Sequence, residues 1–238
     1  MEKIFSGKVP KDFSFFNDNE DTYSCSLKRG IFAVSDGASE SFDAKTWSKE
    51  VVKGFFYSQK IDESWVDKAV KKYNKRVNFE TLSWSKQAAF SRGSFATLLG
   101  VTCESLINSV DIVSIGDSLA VLLSNEINLI SSFPYSASSE FSQHPELLST
   151  KMINNLFLTE EYIKDHKVKW PLVPGEHLLL LMTDALGAWS LKRAEVGVPV
   201  WSVLSNIRTF KELKDLVVQE RRSKSMRVDD TTLIILRS

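Results

Sequence analysis

The chain's patterning predicts an α+β fold built on antiparallel sheet, and three observations carry that prediction. Residues 94–131 break into short apolar runs, S-F-A-T-L-L-G-V-T-C, S-V-D-I-V-S-I-G-D-S, L-A-V-L-L-S and E-I-N-L-I-S, separated by Gly, Asn, Asp and Ser in the manner of an antiparallel meander. Residues 43–58 and 62–79 instead place apolar side chains at three-four spacing, the period of amphipathic helices. Two distant stretches, G-I-F-A-V-S-D-G-A-S-E-S at 30–41 and L-L-L-L-M-T-D-A-L-G at 178–187, share one plan, in which a short apolar strand delivers an aspartate at its end.

With 238 residues the chain can bury one substantial core, and a single domain over 1–238 is expected. Thirty basic residues balance thirty acidic ones, which excludes nucleic-acid binding driven by bulk charge. Cys25 and Cys103 have no partners at metal-ligand spacing and read as small apolar fillers in a reducing compartment. The N-terminal M-E-K-I-F-S-G-K-V-P-K-D lacks the apolar core of a signal peptide, and no later run approaches a membrane span. The expectation is a cytoplasmic protein without membrane or nucleic-acid partners.

Taken in order, residues 1–29 are polar and turn-rich, with Phe13, Phe15 and Phe16 leading into N-D-N-E-D-T-Y. Tyr23, Cys25 and Leu27 then alternate with polar residues as in a half-buried strand. A turn at Lys28–Gly30 leads into a buried strand, Ile31–Val34, so antiparallel pairing brings Glu20 and Asp21 to the same sheet end as Asp36. Gly37 lets the main chain approach whatever Asp36 binds. Asp43 is placed as the cap of a first helix burying Trp47, Val51, Val52, Phe55 and Phe56. A second helix, Asp62 to about Phe79, buries Trp65, Val66, Ala69, Val70, Tyr73 and Val77 and turns Lys68, Lys71, Lys72, Lys75 and Arg76 to solvent. Residues 132–175 read as loops and a flap, with weak helical content near Glu146–Leu158. A helix begins at Ala185–Leu191, further helical segments cover Val200–Ile207 and Phe210 to about Arg222, and Thr231–Leu236 is the last strand.

Four remote segments thus each set a carboxylate at a strand end: Asp21, Asp36, Asp184 and Asp229, with Glu20, Asp117 and Asp230 as neighbours. Acids gathered at one sheet edge repel, and a cation is the simplest way to satisfy them. Oxygen-only ligands select hard cations such as Mg²⁺ or Mn²⁺, whereas His144, His166 and His177 are too isolated to argue for zinc. Two such ions about 3.5–4 Å apart can activate a bridging water and hold a phosphate oxygen for in-line attack, which is the chemistry of a phosphoester hydrolase.

Across nearly the whole chain the sequence resembles the metal-dependent serine/threonine protein phosphatases, the protein phosphatase 2C family, and in particular its small stand-alone bacterial members. N-E-D-T-Y resembles the first acidic motif, F-A-V-S-D-G the second, G-S-F-A-T-L the small-residue strand, S-I-G-D-S-L-A-V-L the Gly-Asp-Ser turn, L-L-L-M-T-D-A-L the Ser-Asp-Gly motif and V-D-D-T-T-L-I-I the closing Asp-Asn motif. The resemblance implies a central sandwich of two antiparallel β-sheets flanked by α-helices on both outer faces. It also implies that Asp36 bridges two metals, that the Gly37 carbonyl binds one of them, and that Asp184 and Asp229 complete the first metal's shell. Asp21, with Glu20 beside it, would act mainly through bound water, and Asp117 matches a third, weaker metal position.

The chain departs from the family's pattern at several places. Phe16 stands where an arginine commonly holds the substrate phosphate, with Lys11, Arg29 or Arg92 as alternatives for that task. Ala38 stands where some members have His, Glu40 and Ala185 where they have Gly, and Asp230 where they have Asn. The function implied is a monomeric phosphatase that acts on phosphoserine or phosphothreonine in a protein through a dimetal-activated water. The alternatives are a catalytically weak regulatory or phosphoprotein-binding module of the same fold, and a phosphatase for a small phosphorylated metabolite.

Overall fold

The computed structural model describes residues 1–104 and 108–238, with the side chain of Phe16 also outside the described set. In chain order the elements are β1 (Glu2–Val9), β2 (Thr22–Ser26), β3 (Ile31–Ser35), α1 (Ala44–Tyr57), α2 (Glu63–Asn74), α3 (Trp84–Arg92), β4 (Phe95–Ala96), β5 (Leu98–Glu104), β6 (Ser109–Ile115), β7 (Leu119–Ser124) and β8 (Leu129–Phe133). After these come β9 (Leu148–Ser149), α4 (Glu160–Asp165), β10 (Lys167–Pro171), β11 (His177–Met182), α5 (Asp184–Glu195), α6 (Val200–Ser205), α7 (Phe210–Arg222) and β12 (Thr231–Arg237). Two five-stranded antiparallel sheets, ordered β1-β12-β11-β7-β8 and β10-β6-β5-β3-β2, form the centre.

Four layers result, because the central strands are apolar on both faces. In β11 the side chains of Leu179 and Leu181 join Ile234 and Leu236 of β12 in the core between the sheets, against Phe32, Val34, Leu99 and Val101. The alternate residues Leu178, Leu180 and Met182 face the other way, onto Trp189 of α5, Trp201 and Leu204 of α6, and Leu213 and Val217 of α7. On the far side of the second sheet, Ile31 and Ala33 of β3 pack against Trp47, Val51 and Phe55 of α1 and Trp65, Val66 and Tyr73 of α2. Strands buried on both faces read as unbroken apolar runs, which is why these strands stand out so clearly in the sequence. Cys25 and Cys103, both free, pack against the inter-sheet core as expected of small fillers, and burial pushes both thiols up to about 11.

The helices begin where their caps predict. Asp43 and Asp62 accept hydrogen bonds from the backbone N–H of Thr46 and Trp65, at 3.2 and 2.9 Å. Thr209 and Glu212 form a capping box at the start of α7. The second helix stops at Asn74, short of Phe79, so Lys75 and Arg76 follow it, and they are exposed like Lys68, Lys71 and Lys72 on the helix. Among the described residues no helix is long and apolar enough to cross a membrane.

Four expectations are corrected. Residues 2–9 are a strand rather than turn: β1 pairs antiparallel with β12, from Glu2↔Arg237 to Val9↔Thr231. Leu27 does not continue β2 but lies in the exposed turn after it. The run 94–131 is not one meander, because the chain leaves one sheet after β6 and enters the other at β7, crossing at Gly116–Ser118; residues 105–107 of that run lie outside the described set. Gly116 makes the crossing at φ +98°, where a side chain would also strike Thr97. In the flap region the helix is α4 at Glu160–Asp165, preceded by short 3₁₀ turns at Ser138–Ser142 and Met152–Asn155, and Lys167–Pro171 is the edge strand β10.

Candidate metal centre

Strand register brings the acidic residues together. Thr22 pairs with Ser35, so Asp21, just before β2, and Asp36, just after β3, stand at one end of the same hairpin. Met182 pairs with Leu233, so Asp184, at the first turn of α5, and Asp229, just before β12, meet at the corresponding end of the other sheet. Asp117 enters from the turn that crosses between the two sheets. Asp36, Gly37, Asp117, Asp184 and Asp229 line a single cavity of about 220 Å³, together with Ala38, Ser39, Thr97, Pro145, Leu147 and Arg227. Pro145 and Leu147 come from the segment expected to form a flap.

Asp21 sits behind this cavity, fully buried, where it ties the two sheets together. Its Oδ2 accepts hydrogen bonds from the hydroxyls of Thr183 and Thr232, at 3.0 and 2.6 Å, while Oδ1 is buried without a partner among the described residues. Burial pushes its pKa up to about 7, with Asp230 and Asp184 adding repulsion that the threonine hydroxyls oppose. The Lys8 ammonium donates to the Asp21 carbonyl at 2.5 Å, and burial lowers its own pKa against the pull of Asp21 and Asp230.

Asp36 keeps part of its surface on the cavity, but surrounding protein holds its pKa well above the usual carboxylate range, and Asp21, Asp184, Asp229 and Asp117 raise it further. Its backbone is pinned on both sides: the Asp36 N–H donates to Thr97 Oγ1 at 2.9 Å, and the Thr97 N–H donates to the Asp36 carbonyl at 2.8 Å. Gly37 is required by space, since a Cβ there would lie 2.8 Å from the Ala44 carbonyl oxygen in the first turn of α1. Asp117 is raised to about 7, by burial first and then by Asp184. Asp184 is also raised by burial, opposed chiefly by Arg227, and its Oδ1 is a second buried carboxylate oxygen without a partner.

Glu20 and Asp230 do not face the cavity. Glu20 accepts from Lys11 Nζ and Ser39 Oγ at 2.6 and 2.5 Å, so its counter-charge is a lysine. Asp230, 2% exposed, clamps two loops by accepting from the backbone N–H of Lys11 at 2.7 Å and of Glu20 at 2.6 Å. A carboxylate can accept both bonds where an asparagine could accept only one, which gives this departure from the family pattern a structural reason.

Arg227 and the threonines are the site residues that sequence reasoning missed. The Arg227 guanidinium donates to Asp184 Oδ2 and lies 3.1 Å from Asp229 Oδ2. Among the described residues lining the cavity it is the only lysine or arginine. The alternatives named from sequence are engaged or remote: Lys11 is committed to Glu20 and Ser39, Arg29 lies in the turn at the far end of the β2–β3 hairpin, and Arg92 ends α3. Arg221, at the end of α7, supports the other side of Asp229 by donating to its backbone carbonyl and to Thr231 Oγ1.

The donor set fits a hard divalent cation. Among the described residues all the cavity's charged acceptors are carboxylate oxygens, Oδ1 of Asp21 and of Asp184 are buried without partners, and burial makes separate ionisation of the acids costly. Among the described residues no three Asp, Glu, His or Cys side chains close into a finished cage; the carboxylates stand around the cavity, with Arg227 between two of them.

No family model matches the sequence, and no curated protein does. Solved structures do match over almost the full chain. The Mycobacterium tuberculosis serine/threonine phosphatase PstP/Ppp aligns with a TM-score of 0.54 at 16% identity, covering 97% of this chain and 95% of that one, and the PstP catalytic domain is also solved in complex with two manganese ions. A bacterial serine phosphatase aligns with a TM-score of 0.56 at 16% identity over 98% and 96% of the two chains. RsbX in complex with magnesium aligns at 0.52 and 18% over 97% and 92%. The chain has the fold of the bacterial serine/threonine phosphatases of protein phosphatase 2C type.

Proposed function

We propose that the protein is a metal-dependent phosphatase acting on phosphoserine or phosphothreonine in proteins. The observation that carries this reading is the convergence of Asp36, Asp117, Asp184 and Asp229 on one cavity where the ends of both sheets meet, with Asp21 behind them. Asp36, the Gly37 carbonyl, Asp184, Asp229 and Asp21 would hold two Mg²⁺ or Mn²⁺ ions, and Asp117 a third, weaker one. Bound there, the cations supply charge neutralisation for the phosphate and activation of the attacking water.

The chain's own residues fix the geometry. Thr97 holds Asp36 through its main chain, the Thr183 and Thr232 hydroxyls orient Asp21, and Arg221 props the backbone of Asp229. No histidine lines the cavity among the described residues, so protonation of the leaving alkoxide falls to water. The reading includes a cytoplasmic, monomeric enzyme with phosphorylated proteins as partners.

The test uses wild type, Asp36→Asn and Asp184→Asn with an aryl phosphate and Mn²⁺, alongside Mn²⁺ binding measured directly. Wild type is expected to turn over, and each variant to lose at least about a hundredfold in rate. Equal inertness of all three across divalent metals would turn the reading to a regulatory module. A phosphopeptide panel set against phosphorylated metabolites separates protein from small-molecule substrates.

A further inference from the structure

We propose that Arg227 is an exchangeable cation of the acidic cavity: it neutralises Asp184 and Asp229 until a divalent metal displaces it, and then offers its guanidinium to the substrate's phosphoryl group. The inference rests on the metal-centre reading above and goes beyond it, because it assigns both a competitor for the metal and the phosphate-binding residue that the sequence does not place.

Three observations carry it. One guanidinium nitrogen reaches both carboxylates, donating to Asp184 Oδ2 and standing 3.1 Å from Asp229 Oδ2, so the arginine and a cation on those acids compete for the same oxygens. The arginine is free to leave: its side chain is 60% exposed and extends from the loop between α7 and β12, whereas Asp184 is 10% exposed and fixed at the head of α5. Among the described residues lining the cavity no other lysine or arginine is present; Lys11 stands outside it, bonded to Glu20 and to the lining residue Ser39. A planar guanidinium matches two phosphate oxygens with paired N–H donors, which a point charge cannot do. Metal and substrate binding would thereby be ordered, because the phosphate site is created only when the metal has released the arginine.

Calorimetric titration of MnCl₂ into metal-stripped wild type, Arg227→Ala and Arg227→Lys, followed by inorganic phosphate into each Mn²⁺-loaded protein, tests this. Removing the competitor should tighten Mn²⁺ binding about tenfold in Arg227→Ala, with Arg227→Lys between the two. Phosphate binding to the loaded Arg227→Ala protein should weaken by about tenfold. Equal or weaker Mn²⁺ binding by Arg227→Ala, or unchanged phosphate affinity, overturns the proposal while leaving the metal centre intact. Failure of both wild type and Arg227→Ala to take up Mn²⁺ overturns the metal centre itself. Circular dichroism confirms that the variants fold, and the lysine variant keeps the test open if the alanine variant does not.

Discussion

A single carboxylate, Asp230, decides whether the loops leading into the acidic cavity stay in place. It is buried at the start of β12 and takes the backbone N–H groups of Lys11 and Glu20, each through its own oxygen. Asp230→Ala leaves two amides without acceptors and should cost about 3 kcal/mol of stability, while Asp230→Asn, which keeps one acceptor, should cost roughly half as much, as read from urea unfolding. The residue scale also shows where sequence reasoning succeeds and fails at the site. The gathering of Asp36, Asp117, Asp184 and Asp229 around one cavity, with Asp21 behind it, was legible because each is an acid beside the end of an apolar strand. Arg227 was not, because a lone arginine in a polar loop carries no periodic signal and its importance comes only from the two acids it meets, one of them 43 positions distant. Thr97, Thr183 and Thr232 were invisible for a related reason, since threonine is an ordinary strand residue and only the folded register brings the Thr97 hydroxyl to the Asp36 backbone N–H and the Thr183 and Thr232 hydroxyls to the Asp21 carboxylate.

At the scale of elements, strands and helices buried on both faces or along a continuous stripe announced themselves, and elements that depend on a remote partner did not. β11 reads directly from L-L-L-L-M, whereas β1 is stabilised as an edge strand by β12, more than two hundred residues away, and its alternation of Phe5, Gly7 and Val9 is too sparse to read alone. The transfer of the chain from one sheet to the other at Gly116 has the same local signature as a hairpin turn, so an unbroken meander was the natural reading. Contact between layers is equally non-local. Gly100 in β5 lies directly under Phe55 of α1, and a Cβ there would come within 2.5 Å of two ring carbons of a side chain that is 1% exposed. Gly100→Ala should therefore destabilise the protein by about 1–3 kcal/mol, because the ring has no room to withdraw. Adding Phe55→Leu, which trims that ring, should recover part of the loss, and a double-mutant cycle by denaturant unfolding measures the coupling.

Across the whole molecule, the two sheets are stitched together at the end where the acids gather, so the charge state of the cavity bears on the stability of the entire sandwich. Burial holds Asp21 and Asp117 at about 7 and keeps Asp36 well above the usual carboxylate range, with repulsion from neighbouring acids adding to it. In the unfolded chain the same groups titrate near about 4. Between those values the folded, metal-free protein keeps protons that the unfolded chain has released, so the contribution is fully present below about 4 and is lost as pH rises through about 7. This is the reverse of the usual carboxylate case, in which ion pairing lowers the folded pKa. Metal binding should invert the trend, because coordination holds the carboxylates ionised and releases their protons, which makes binding stronger as pH rises. In EDTA the melting temperature should fall by about 2–8 °C between pH 5.5 and pH 8, as expected for a cost of one to two kcal/mol in a chain of this size. With saturating Mn²⁺ the stabilisation over the EDTA sample should be larger at pH 8 than at pH 5.5. Scanning calorimetry of the four samples decides the matter: a melting temperature in EDTA that rises with pH would show that Asp21, Asp36 and Asp117 are ionised without metal, and the electrostatic account of the cavity would fail with it.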